Sequence, residues 1–199
     1  MNIPEVNMPY GFEEMNALPG DPPNSKVYGY ESPGTISRVL VRFIPAGETL
    51  FFDDPQVLSN MIIQEAEDGK LVESETVRTY EKDRRCVHSI VKTLSDQDRI
   101  RYWATMYIDY PDGMVLIQGF FDTLGESEMR EILVQAIQTG KGIVRMTDKG
   151  LIGWDLESYD PEYRHESGED SDHWEFDQLF PDHPLTEARR FVNELLMLN

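Results

Sequence analysis

The stretch IRYWATMYIDYPDGMVLIQGFF (residues 100–121) decides the fold. Ile100, Tyr102, Ala104, Met106 and Ile108 alternate with Arg101, Trp103, Thr105, Tyr107 and Asp109, the two-residue period of a strand with two different faces. YPDG (110–113) then reads as a tight turn: Pro presets φ, Asp tolerates the next corner and Gly accepts a positive φ. MVLIQGFF (114–121) returns as a strand that reads as buried on both faces, so the stretch is a hairpin.

Working outward, LVESETVRTY (71–80) and RCVHSIVKTL (85–94) flank the short polar connection EKDR and read as two more strands. TISRVLVRFIP (35–45) is β-branched, ends at a Pro-Ala-Gly turn, and reads as the first strand. Asp54-Pro55 is a cap and first-turn pair, Val57, Leu58, Met61, Ile62 and Ala66 keep helical spacing, and Gly69 supplies a stop, so a helix is expected over 55–67. Met129, Ile132, Leu133, Ala136 and Ile137 form a second apolar stripe ending at Gly140. IVRMTDKGLIGWDL (143–156) fits a small hairpin around TDKG. PLTEARRFVNELLML (184–198) opens with Pro and places Leu185, Ala188, Val192, Leu195 and Leu196 on one stripe, a C-terminal helix. The fold class expected is α+β: an antiparallel sheet of about five to seven strands with helices packed on its faces. The division expected is a Pro/Gly-rich arm over 1–34, a sandwich domain over 35–154, and an acidic segment over 155–199 ending in the helix.

The chain has 199 residues, long enough for one sizeable core without metal or disulfide. It carries 37 acidic and 18 basic residues, a formal charge of −19. That charge opposes nucleic acid and anionic membrane surfaces and favours a basic protein partner, although acidity also serves plain solubility. Residues 151–199 hold 13 acids and 3 bases, so a quarter of the chain carries just over half of the net charge. The first residues show neither a basic stretch nor an apolar run of the secretory kind, and the single cysteine, Cys86, forms no internal disulfide. A cytoplasmic setting is the expectation.

Chemistry-bearing groups are sparse. GxSxG, GxxxxGK[ST] and GxGxxG are all absent, and TGKG (139–142) follows a helix where a phosphate loop would precede one. Cys86 and His88 share one strand face, whereas a nucleophile and its base normally converge from separate elements. HESGEDSDHWEFD (165–177) holds His165, His173 and six carboxylates, but Asp170, Asp172 and Glu175 lack the spacing of a calcium loop. No catalytic residue, cofactor or metal is assigned. The aromatics set in the acidic segment, Tyr159, Tyr163, Trp174, Phe176 and Phe180, are the candidate partner-binding residues, with anchoring onto the domain as the competing role.

The order of elements over 35–138 resembles the PsbP-like sandwich, shared by the Ran-binding Mog protein of yeast and the bacterial DcrB-like domains. VLVRFIPAGETLFFDDPQVLSNMI, the meander from VESETVRTYEK to YPDGMVLIQGFF, and EMREILVQAI carry the resemblance; the arm and the acidic tail lie outside it. It implies a non-enzymatic binding scaffold of bacterial type, such as a secretion-associated chaperone or an immunity protein, with a basic or toxin-like protein as partner. A homodimer built on the 71–94 strands or the last helix is a further expectation. The alternative is a hydrolase or divalent-metal protein using carboxylates with His165 or His173.

Overall fold

A computed structural model describes residues 3–46, 64, 69–94, 99–125, 129–148, 150–154 and 171–199. Seven strands form one antiparallel sheet: β1 (Glu13–Met15), β2 (Lys26–Glu31), β3 (Thr35–Pro45), β4 (Lys70–Arg78), β5 (Arg85–Leu94), β6 (Ile100–Tyr110) and β7 (Gly113–Thr123). Their spatial order is β1-β2-β3-β7-β6-β5-β4, which puts the β6–β7 hairpin near the centre and β4 at one edge. The helix read over 55–67 lies, except for residue 64, outside the described residues. The two described α-helices are α1 (Met129–Gly140) and α2 (Pro184–Leu198), and β8 (Arg145–Thr147) pairs antiparallel with β9 (Gly150–Ile152), Thr147 facing Gly150. The architecture is α+β.

The central hairpin takes the register its alternation dictates. Tyr110 pairs with Gly113, and Pro45 meets the same glycine from the other side. A Cβ at Gly113 would lie 2.2 Å from the Ile44 carbonyl oxygen, so three strands converge there only because the side chain is a hydrogen. Ile100, Tyr102, Ala104, Met106 and Ile108 enter the main core with Val115, Ile117 and Phe121, while Tyr107, Met114 and Leu116 are buried in a second cluster with Val87 and Val91.

α2 closes the main core. Leu185, Ala188, Phe191, Val192, Leu195 and Leu196 are all buried in it, and Phe191 packs between Phe121 and Phe12, with ring centroids 5.4 and 5.0 Å away. The stretch read as an arm is joined to this body more closely than its Pro/Gly content implies. Residues 26–31 pair along β3 as β2, residues 13–15 add β1, and Ile3, Val6, Met8 and Phe12 pack on the core. Backbone pairing compensates the helix-breaking composition, because an extended strand tolerates the residues that a helix rejects. Asn7 and Asn199 clasp each other: the Asn7 amide donates to Asn199 Oδ1 at 2.9 Å and Asn199 Nδ2 donates to the Asn7 carbonyl at 3.0 Å.

α1 departs from the expectation. Its buried residues are Arg130, Val134 and Gln138, whereas Met129, Ile132, Leu133 and Ile137, the stripe picked out by periodicity, are 36–56% exposed. Val134 joins Val144, Trp154 and Phe176 in a satellite cluster off the sheet.

Candidate functional site

The segment leading into α2 is fixed by buried charge. Asp172 lies in the interior, where its carboxylate accepts from Lys70 Nζ at 3.3 Å, Lys92 Nζ at 3.4 Å and the Tyr102 hydroxyl at 3.1 Å. Burial pushes its pKa up, but the two ammonium groups and the hydrogen bonds prevail and hold it below the usual carboxylate range. Arg130, 1% exposed, spends its guanidinium on the same segment. It donates to the Ser171 carbonyl at 2.7 Å, the His173 carbonyl at 3.2 Å, Thr186 Oγ1 at 3.1 Å and Asp177 Oδ1 at 2.8 Å. Four acceptors around one rigid fork explain why a cation occupies the inner face of α1.

Asp177 passes the chain of charge onward. It accepts from Arg189 Nη1 at 3.0 Å, and Arg189 Nε donates to Glu73 Oε2 at 2.8 Å. A continuous line Arg130–Asp177–Arg189–Glu73 therefore runs from α1, through the 3₁₀ helix Trp174–Leu179, across α2 to the edge strand β4. At the entrance to α2, His183 caps the helix, its Nδ1 accepting from the Leu185 amide at 3.2 Å, and its ring meets Tyr102 edge-on at 5.6 Å. Burial, then the neighbouring Arg130 and Lys92 charges, push its pKa down to about 3.

Above this line opens a cleft of about 580 Å³ between β4, the 3₁₀ helix and α2. Glu73, Glu75, Val77, Arg78 and His88 come from the sheet side, and Trp174, Asp177, Arg189 and Asn193 from the other. A β-bulge sets the sheet side. Leu71 pairs with Val91 and Glu73 with Ile90, so one extra residue, Val72, is absorbed between them. Because alternate residues point to opposite faces, that extra residue turns Glu73, Glu75 and Val77 onto the face of His88 and Cys86. The packing agrees: Val72 and Val77 both lie against the main core, which an odd spacing of five forbids on an unbroken strand.

His88 and Cys86 part company here. Cys86 is fully buried in the core, and burial pushes its thiol up to about 12, so it supplies no thiolate. His88 is 6% exposed, its Nδ1 has no hydrogen-bond partner, and burial lowers its pKa while Glu73 and Glu75 pull the other way.

The aromatics read from the acidic segment divide. Trp174 is 74% exposed and lines the cleft. Phe176 is 3% exposed in the satellite cluster, Phe180 packs on that cluster with Arg130 over its ring, and both act as anchors. Tyr159 and Tyr163 lie outside the described residues, as does His165. His173 is exposed, and it meets the protein through its carbonyl rather than a clustered imidazole. Among the described residues no three His, Cys, Asp or Glu side chains converge as a metal-binding set. Nor is any helix among them long and apolar enough to cross a membrane. Glu73, Glu75 and Arg189 are cleft residues that sequence reading passed over, and His88 was weighed there only beside Cys86, since the bulge and the docking of α2 bring the four together.

No family model and no curated protein matches this chain. Among solved structures, it is similar to LpqN, described as involved in cell envelope biogenesis of Mycobacterium tuberculosis. That match has 13% sequence identity and a TM-score of 0.31, covering 67% of this chain and 77% of the other. A likeness of that size speaks to neither family nor function.

Proposed function

We propose that this chain is a non-enzymatic protein-binding domain, a PsbP-like sandwich that holds a basic partner in the manner of a secretion-associated chaperone or an immunity protein of the bacterial cytoplasm. The observation that carries this reading is Trp174: a large aromatic ring left 74% exposed at the mouth of a cleft that also presents Glu73, Glu75 and Asp177. An exposed aromatic beside carboxylates is the pairing that gives an interface an anchor and a steering field. The charge of −19 extends that field over the whole surface. The exposed apolar stripe of α1 adds contact area of the kind used between proteins.

Affinity capture from the source cell with mass spectrometry tests the reading, comparing wild type with Trp174→Ala. Deleting the acidic segment would be a poor lesion, because it removes Asp172 and Asp177 from the buried network. The expected result is one basic partner, enriched by wild type and lost with Trp174→Ala while the unfolding midpoint stays unchanged. Equal recovery by both proteins, or recovery of nothing above background, overturns the reading.

A further inference from the structure

β3 outruns one of its neighbours. Its last pair with β2 joins Val41 to Lys26, while on the other side it stays paired with β7 as far as Pro45. Ahead of Lys26 the chain turns away through Pro22, Pro23 and Asn24, the last at a φ of 62°, and neither proline has an N–H to give a ladder. The end of β3 therefore flanks an open slot of about 420 Å³. Ile3, the two prolines, Phe43 and Ile44 supply its apolar wall, and Asn24 and Arg42 its polar groups.

Arg38, Arg101, Arg130 and Arg189 each hold a carboxylate, as expected in a chain with 37 acids and 18 bases. Among the described residues no such partner stands by Arg42. Its Nε is enclosed and unmet, too deep for a ligand to reach, but its Nη edge is not enclosed and the side chain lines the slot. The charge around it is also unlike the rest of the molecule. Residues 22–46 carry Glu31 against Lys26, Arg38 and Arg42, net +2 in a chain of −19, and the residues lining the slot include no acid.

A guanidinium held partly out of water beside apolar walls attracts an anion more strongly than the same group in bulk solvent. A carboxylate fits its planar edge with two parallel hydrogen bonds. A dianion such as phosphate would bring a second charge into the field of a strongly acidic molecule with one cation to meet it. The apolar wall asks for an apolar body on the ligand.

We infer that this slot binds an organic monocarboxylate with an apolar or aromatic body, its carboxylate accepting from the Arg42 Nη groups and its body lying against Phe43 and the prolines. The slot shares no lining residue with the Trp174 cleft, and the inference does not rest on the binding reading above.

The test is an NMR titration of the full chain at neutral pH with hydrocinnamate, beside its uncharged amide, phenyl phosphate and acetyl-Gly-Phe with a free C-terminal carboxylate. Hydrocinnamate is expected to give saturable shifts at the amides of residues 42–44 and at the Asn24 side chain. Its amide should bind about tenfold more weakly or worse, the loss of a charge-assisted contact. Arg42→Gln should lose the discrimination between acid and amide, a readout that a merely structural role would leave in place. The acid–amide comparison on wild type needs no variant, so it decides even if Arg42→Gln fails to fold. Equal binding of acid and amide, tighter binding of phenyl phosphate, discrimination retained in Arg42→Gln, or no response at millimolar ligand each overturn the inference. The two carboxylates separate the sources: a tighter peptide upholds the site as one for a protein C-terminus, a tighter hydrocinnamate as one for a small organic acid. If the slot stays silent while Trp174→Ala still abolishes capture of a partner, this inference falls and the binding reading stands.

Discussion

α1 and α2 are both amphipathic, yet they meet the rest of the molecule by opposite rules. α2 lays its apolar stripe on a broad sheet face and buries Leu185, Phe191 and Leu195 almost completely. α1 turns its stripe outward and is held by Arg130, Val134 and Gln138 on the other side. The difference lies in what each helix is offered. A wide apolar face rewards an apolar stripe by area alone. A segment whose carbonyls and carboxylate all point one way rewards a single rigid guanidinium more than it rewards a leucine. Amphipathicity fixes a helix; the chemistry of the opposing surface fixes which side goes down.

Substitutions on the two helices should break that contrast or sharpen it. Phe191→Ala should cost about 3–5 kcal/mol, the range for deleting a buried aromatic, whereas Ile132→Ala should stay within about 0.5 kcal/mol, both read from urea unfolding midpoints. An Ile132 cost near that of Phe191 would mean that the α1 stripe is covered. Arg130→Met keeps the bulk but removes one of Asp177's two guanidinium partners and a donor from each of three backbone or hydroxyl acceptors; a loss of about 3 kcal/mol is expected on the same assay. A neutral or stabilising result would show that packing, and not the guanidinium, seats α1.

Acid should act on α2 first. His183 has its folded pKa pushed from 6.5 down to about 3, so between those values the unfolded chain binds a proton that the folded chain does not. Stability therefore falls as pH drops below 6.5, by at most about 1.4 kcal/mol per pH unit for this group. His88, also lowered, adds in the same direction, while Asp172, held below 3.8, withdraws its contribution only at lower pH. His183→Asn keeps a capping side chain, and unfolding measured from pH 7 to pH 4.5 should show a shallower slope than wild type. An unchanged slope would refute the assignment. The smallest effect concerns Cys86: with a buried thiol pushed up to about 12, alkylation of the native protein at pH 8 should be negligible and become rapid in denaturant.

Local rules reached much of this structure from sequence. The strands at 35–45, 85–94 and 100–110 fall where alternation and turn residues put them, because register and face are set by the same two-residue period. β1 and β2 were hidden by composition: a strand of six with Gly29 at its centre, preceded by LPGDPPN, carries little local preference and is held by its pairing with β3. The site was less legible still. Trp174 stood out as an aromatic among acids, but Glu73 and His88 join it only through a bulge at Val72 and a helix that arrives some hundred residues later. Arg130 was read past for a related reason. Its partners Ser171, His173 and Asp177 lie more than forty residues downstream, beyond any spacing rule.

That late arrival also bears on how the protein is made. All seven strands of the main sheet precede residue 124, yet the face they build is completed by side chains from 185 to 196. A ribosome therefore releases the whole sheet before the element that covers it, and the uncovered face persists for as long as the intervening residues take to emerge, seconds at elongation speeds of about 5–20 residues per second. During that interval the chain is a substrate for holdases and a candidate for mispairing, and closure by α2 is the step that commits it to the native state.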